Sequence, residues 1–461
     1  MGAFSSSDYN SYLLGIKLSH YDENRIKENI EQIRKELNEM DINKYENKYL
    51  ILSCIYGAFL GDSIGSFCEF KGKSESNHLL IYNFNENEHI FLPGEVTDDS
   101  EMAISLAFAY IDSINEDPSM TQNLIYYYFC IWAASNPKDM GVATVCALNS
   151  WNYKSIEETK FDLEYVKKNN IKSLANGFLM RISTFIAYYY YKNLNNIKNT
   201  IEEYFKSGKY NDNELTDEMM NLLEDIYNES SKSTEITHPN YENAVSSSVF
   251  TLMTLTGIVM KKAPLVYSLF ETISSSQRFD SFCNNLAKDN NAGKSDIPNK
   301  YSEIVKAIRN DEDISVIKHI GYYLHAFKLS VYYLNKYPEM GENQDKELYY
   351  TIMCDICDRG GDTDTNCAIV GTLIGPLIGY KNFKQDLFDK FIRFIPKRRS
   401  QFNSAFMYMY VNYLEEKFIL KKNEINEESH NNETKKRKFN YTTKKKLEEF
   451  FGKPKSQWGI F

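Results

Sequence analysis

Between residues 22 and 40, Ile26, Ile30, Ile33, Leu37 and Met40 recur at alternating steps of four and three, with charged residues between them. That spacing lines one face of an α-helix. It predicts an amphipathic N-terminal helix laid on a larger body, in preference to a coiled-coil partner site. From Tyr49 onward, helical patterns follow one another: Met102–Tyr110, Leu124–Ala134, Leu179–Tyr191, Ala244–Met260 and His319–Leu334. Strand-like alternation is scarce, and the apolar stretches outrun typical strands. The expected fold class is all-α. The expected organisation is an N-terminal helical extension over 1–48, a body over 49–420 and a charged tail over 421–461.

Two polar segments break the pattern. Lys192–Thr234, rich in Asn, Lys, Glu and Ser, reads as an insertion with a weak helical pattern, and Asn284–Lys300 reads as a loop. The most apolar run, Cys367–Tyr380, is broken by glycines and Pro376. It falls short of the roughly 18 residues a membrane span needs, so no transmembrane helix is expected.

Composition narrows the classes. Of the 461 residues, 43% are hydrophobic and 25% charged, as in a globular protein with a large core. The 35 Tyr and 28 Phe are too many to be anything but core and groove lining. A net charge of −10 excludes a dedicated nucleic-acid binder, whose affinity comes from neutralising phosphates. The eight Cys stand singly apart from Cys354-Asp355-Ile356-Cys357, with no disulfide-like spacing. A reducing, cytoplasmic compartment is expected, with Cys354 and Cys357 as buried thiols. Met1-Gly2-Ala3-Phe4-Ser5-Ser6 fits an N-myristoylation pattern, which would give only weak membrane association. Lys435-Lys436-Arg437-Lys438 reads as a solvated run, with nuclear entry as the sharper alternative.

The chemistry concentrates in two distant stretches: Pro93-Gly94-Glu95-Val96-Thr97-Asp98-Asp99-Ser100-Glu101-Met102, and Gly360-Gly361-Asp362-Thr363-Asp364-Thr365-Asn366. Each sets carboxylates and hydroxyls where a glycine-bearing loop becomes a helix. Helix capping accounts for one Asp per helix. It accounts poorly for adjacent carboxylates matched by an Asp-x-Asp-Thr elsewhere, because clustered carboxylates repel unless a positive charge sits among them. Mg²⁺, which takes about six oxygens, suits Asp, Thr and water ligands, and a pair of ions needs bridging carboxylates. The few histidines and the absence of His/Cys pairing make zinc less suitable. Glu101 reads as a first-turn helix acid, Asp62 as a structural partner in its helix, and His319 and His325 as residues that pack or bond locally.

Several ordered motifs resemble the ADP-ribosylhydrolase (ADP-ribosylglycohydrolase) family. They are Gly57-Ala58-Phe59-Leu60-Gly61-Asp62-Ser63-Ile64-Gly65 with Glu69-Phe70, then Thr97–Met102, then Lys138-Asp139-Met140-Gly141. Asn176-Gly177-Phe178-Leu179-Met180-Arg181, Thr237-His238 and Gly361–Thr365 follow in the family's order. The resemblance implies a compact orthogonal helical bundle with a two-metal cleft holding two Mg²⁺, with Mn²⁺ as a substitute. It implies Thr97, Asp98, Asp99, Asp362, Asp364 and Thr365 as metal ligands. It gives Glu69 and Asp139 as the candidate acid–base residues, and Gly141, Asn176 and His238 as contacts to ADP-ribose. Lys-Asp-Met-Gly is similar to members that release ADP-ribose from arginine, which a carboxylate facing an always-charged guanidinium would suit. The implied partners are an ADP-ribosylated protein as substrate and ADP-ribose as product. Serine-linked or small-molecule conjugates, and ADP-ribose binding without turnover, are the alternatives. Two departures stand out: Ala175 where many relatives have glycine, and Pro376, expected to interrupt the helix after the second acidic motif.

Overall fold

Helices and turns make up the described residues of this computed structural model: 23–69, 91–114, 116–148, 159–341, 345–396 and 402–420. Among them no strand occurs beyond one isolated antiparallel bridge between Ala175 and Tyr322. The fold is all-α, as the periodicity predicts. The pattern at Met1–Ser6 and the basic run at 435–438 lie outside the described residues.

The N-terminal apolar stripe forms α1 (Glu23–Glu39), whose Ile26, Ile30, Ile33 and Leu37 are buried. The helix lies on the body. Tyr380 Oη donates to Leu37 O at 2.9 Å, and Arg34 pairs with Asp389 at 2.6 Å.

The next helix, α2 (Glu46–Gly65), is buried on every side from Tyr49 to Gly65. A helix without a polar face has nowhere to lie but the core. Beside it the other acidic region introduces α15 (Thr363–Ile378), which is equally enclosed. The two form the most extensive helix–helix contact among the described residues and run antiparallel. Glycines permit this. A Cβ on Gly57 would stand 2.3 Å from Gly371 O, one on Gly61 2.4 Å from Cys367 O, and one on Gly375 2.2 Å from Ser53 O. Backbones this close leave no room for a side chain. Tyr349 Oη donates to Gly57 O (2.5 Å) and Thr363 Oγ1 to Gly65 O (2.7 Å) across the same seam.

Around this pair stand α3 (Asp98–Ser113) and α4 (Thr121–Ala134), then the short α5 (Val142–Leu148) and α6 (Leu163–Asn170). Next come α7 (Ile182–Ser207), α8 (Asp217–Thr234), α9 (Tyr241–Met260), α10 (Ala263–Ser275), α11 (Gln277–Asp289) and α12 (Ile297–Arg309). Against α15 pack α9, α13 (Tyr323–Lys336) and α14 (Leu348–Arg359), and the chain closes with α16 (Gln385–Arg393) and α17 (Phe406–Glu415).

Two expectations need correction, those for Asn284–Lys300 and Pro376. Lys192–Thr234 is helical, as its weak pattern predicts: α7 runs on to Ser207 across a kink at Asn193, and α8 occupies most of the rest. Ile197, Ile201, Tyr204, Leu222 and Ile226 are buried, a stripe too sparse to outweigh the polar composition of the outer face. Within Asn284–Lys300 only 290–296 lies between helices, and Pro298 sits in the first turn of α12, where its missing N–H costs nothing. Pro376 does not interrupt α15, which continues to Ile378, because a proline in the last turn forfeits a single backbone bond. Among the described residues one helix, α9, is long and apolar enough to cross a membrane by length and composition, and 89% of its most apolar stretch is buried in the protein interior. All eight cysteines are free; Cys357 is buried, with its thiol in hydrogen-bonding contact with Cys68 and Cys367, and Cys354 is half-buried.

The seam predicts its own test. Gly61→Val should destabilise the protein by about 1–3 kcal/mol or more, because backbone must move to admit the side chain. Gly257→Ala, whose new methyl would meet side chains at 3.6 Å, should change stability by less than about 1 kcal/mol. Urea unfolding of the full chain measures both.

Candidate active site

The first acidic loop is shaped by a residue on α2. Asp62 is fully buried in an otherwise apolar stretch and therefore needs partners. Its carboxylate accepts from Thr97 N at 3.1 Å, from Ser100 N at 3.2 Å and from Ser100 Oγ at 2.5 Å. Burial pushes its pKa up to about 6 against those hydrogen bonds, leaving it ionised at neutral pH. Thr97 in turn caps α3, its Oγ1 accepting from Asp99 N at 3.3 Å. The loop is thus fixed from outside, and Asp98 and Asp99 project from its first helical residues. Glu101 accepts from Trp132 Nε1 at 2.8 Å on the far side of the turn.

The second loop arrives at the N-terminus of α15. Thr365 N donates to Asp364 Oδ1 (2.8 Å), and Thr365 Oγ1 donates to Asp99 Oδ1 (3.2 Å), joining the two loops directly. Carboxylate oxygens of Asp98, Asp99 and Asp364 lie within 4.8 Å of one another, and so do those of Glu69, Asp362 and Asp364. Asp364 belongs to both groups. Among the described residues no ion pair reaches any of these acids, and Asp99 Oδ2 is buried without a partner. Burial, followed by the neighbouring carboxylates, holds Asp98, Asp99 and Asp364 well above the ordinary carboxylate range. The same causes push Glu69 up to about 9. Buried acids in this number need either protons or a cation. An all-oxygen donor set with an orphaned carboxylate oxygen suits a hard divalent metal.

The other expected site residues fall as follows. Asp139 is half-buried, its Oδ1 accepting from Met140 N at 2.7 Å, and its charge is felt by both Glu69 and Asp98. Lys138 pairs with Glu95 at 2.5 Å and so ties this loop to the first acidic loop. Gly141 is exposed at the start of α5, with open space around it. Asn176 Nδ2 donates to Asp362 Oδ2 at 2.7 Å, placing it against the acids. His238 is buried, packed against Gly177. His325 bonds locally, its Nε2 2.6 Å from Lys318 O.

Two residues carry more than the sequence reading gave them. Asp62 shapes the first acidic loop, and its signal was a charge inside an apolar helix. Arg181 is wholly buried, and burial lowers its pKa to about 9; its signal was a cation amid Leu, Met and Ile.

The ADP-ribosylglycohydrolase family model matches residues 43–406, and the chain belongs to that family, whose members hydrolyse ADP-ribose conjugates. A protein of Acanthamoeba polyphaga mimivirus that bears the name "Putative ADP-ribosyl glycohydrolase L543" is 25% identical over 334 residues, which is 70% of this chain and 86% of the relative. A solved structure named as an ADP-ribosylglycohydrolase-related protein complex covers 80% of this chain and 99% of its own, at 16% identity and a TM-score of 0.49.

Raised carboxyl pKa values give metal binding a definite pH sign. The metal-free site holds protons near neutrality, and a cation favours the ionised forms, so binding must release protons and tighten as pH rises toward about 9. Calorimetric titration with Mn²⁺ in buffers of different ionisation enthalpy should show that release. Asp62→Asn, which replaces one of the two acceptor oxygens with a donor facing N–H and O–H groups, should weaken binding by about 10–100-fold.

Proposed function

We propose that this protein is a Mg²⁺-dependent ADP-ribosylarginine hydrolase, cleaving the N-glycosidic bond between ADP-ribose and arginine on mono-ADP-ribosylated proteins. The observation that carries this reading is the meeting of two remote acidic loops, with Asp139 within their field and, among the described residues, no basic side chain paired to Asp98, Asp99, Asp362 or Asp364. Thr97, Asp98, Asp99, Asp362, Asp364 and Thr365 would hold the metal, as two ions with Asp364 shared between the groups. Bound there, the metal would hold the ribose and polarise its hydroxyls, whose increased negative character would offset the positive charge developing at the anomeric carbon.

The chain's own residues supply the remaining work. Asn176, anchored on Asp362, and His238 orient the ADP-ribosyl group, and the open backbone at Gly141 admits its diphosphate. Asp139 faces the leaving side, where its carboxylate pairs with the guanidinium and fixes its plane. Glu69 is the acid–base group: protonated, it delivers a proton to the departing guanidino nitrogen; ionised, it draws one from the attacking water. Bringing these groups to one bound geometry removes much of the entropic barrier.

The test compares ADP-ribose release from arginine-linked and serine-linked proteins, with and without Mg²⁺. Release from the arginine substrate should require the metal and fall by at least about 10³-fold in Asp362→Asn/Asp364→Asn. Asp139→Asn should lose about 10²-fold or more on that substrate. Turnover of the serine-linked substrate alone would overturn the arginine assignment. Metal-dependent ADP-ribose binding without turnover of either would overturn the enzyme reading.

A further inference from the structure

Arg181, the residue before α7, has 1% of its surface exposed. A buried guanidinium ordinarily faces a carboxylate. Among the described residues no ion pair reaches this one. It donates instead to Gly177 O, to Ser233 O at 3.1 Å and to Thr237 Oγ1 at 2.7 Å, with its face over the Phe129 ring at 4.7 Å. Thr237 Oγ1 also stands 2.8 Å from His238 Nδ1. Thr237 is held in place at its backbone, where its carbonyl accepts from Asn170 Nδ2 at 2.9 Å.

The direction of these hydrogen bonds follows from what each group can do. A guanidinium only donates, so Thr237 Oγ1 accepts from Arg181. The threonine's own proton then needs an acceptor, and in this buried place the neighbour available is His238 Nδ1. A ring nitrogen that accepts carries no proton, so the neutral imidazole carries its proton on Nε2. Nε2 is buried without a partner. It lies beside Gly177, where a Cβ would stand 3.0 Å from His238 Cε1 and 3.4 Å from Nε2. The preceding Asn176 bonds Asp362, so a single residue links this edge of the ring to the acidic site. Burial and the Arg181 charge lower the His238 pKa to about 3, which keeps the ring neutral.

We propose that Arg181 and Thr237 form a relay that fixes the tautomer of His238, presenting Nε2–H as a hydrogen-bond donor to an acceptor oxygen of the bound ADP-ribosyl group. The second half rests on His238 being a substrate contact; the relay itself does not. Arg181 is a positioning residue. It acts through Thr237 and touches no ligand.

Ring-nitrogen NMR of the full chain carrying isotope-labelled histidine reads the tautomer without substrate or metal, with His238 assigned by its loss in His238→Gln. The wild type should show a protonated Nε2 and a bare Nδ1. Thr237→Val, equal in size but without the hydroxyl, should move the proton to Nδ1 or mix the tautomers, and Thr237→Ser should restore the wild-type pattern. On an ADP-ribosylated protein, Thr237→Val should raise KM about three- to tenfold with kcat nearly unchanged. Arg181→Lys, which keeps a cation but loses the fork, should shift both readouts the same way. A wild-type proton on Nδ1, or an unchanged tautomer in Thr237→Val, overturns the relay. The expected tautomers with an unchanged KM overturn only the donor role toward ADP-ribose.

Discussion

Two helices that touch backbone to backbone set the geometry of everything at the acidic site. Gly57, Gly61 and Gly65 on α2 face Gly375, Gly371, Cys367 and Thr363 on α15, and no side chain separates them. This contact brings the end of α2, with Asp62 and then Glu69, beside the start of α15, with Asp362 and Asp364. Asp62 then reaches across to fix the start of α3, so a third element carrying Asp98 and Asp99 is referenced to the same seam. Few adjustable side chains intervene, and the carboxylates inherit the precision of a backbone contact.

The site is also a concentration of unfavourable charge inside the fold. Asp98, Asp99 and Asp364 each expose 8% or less of their surface. Two helix N-termini, of α3 and α15, point their partial positive ends at this region and offset part of the repulsion. Arg181 adds a full positive charge near Asp98 but spends its hydrogen bonds on Gly177, Ser233 and Thr237. The remaining deficit suits a ligand cation, and it is balanced by an aromatic-rich interior in which, for example, Tyr301 stacks between Phe279 and Phe327.

Much of this was legible in the residues. The four-and-three spacing marked α1, and the long apolar patterns marked the core helices, because amphipathicity and burial are written locally. The paired acidic motifs were legible because capping could not account for their number. What stayed hidden has a common cause. Asp62 bonds residues 35 and 38 positions away, and Arg181 bonds partners as far as 56 positions away. Several of those partners are backbone groups, which leave no trace in residue identity. The helices of Lys192–Thr234 show only weakly in the sequence for another reason: composition averages both faces of a helix, and a thin buried stripe disappears in the average.

The seam also has a consequence in time. Its cross-links join Tyr349 to Gly57 and Thr363 to Gly65, separations of 292 and 298 residues. A chain emerging from the ribosome at about 5–20 residues per second exposes α2 long before α15 exists. During that interval a largely apolar helix with bare glycines has no proper mate, and the acidic loop beside it has no second half. The seam can close only after α15 has been made, so a truncated product ending before residue 363 would carry neither a finished core nor the second acidic loop.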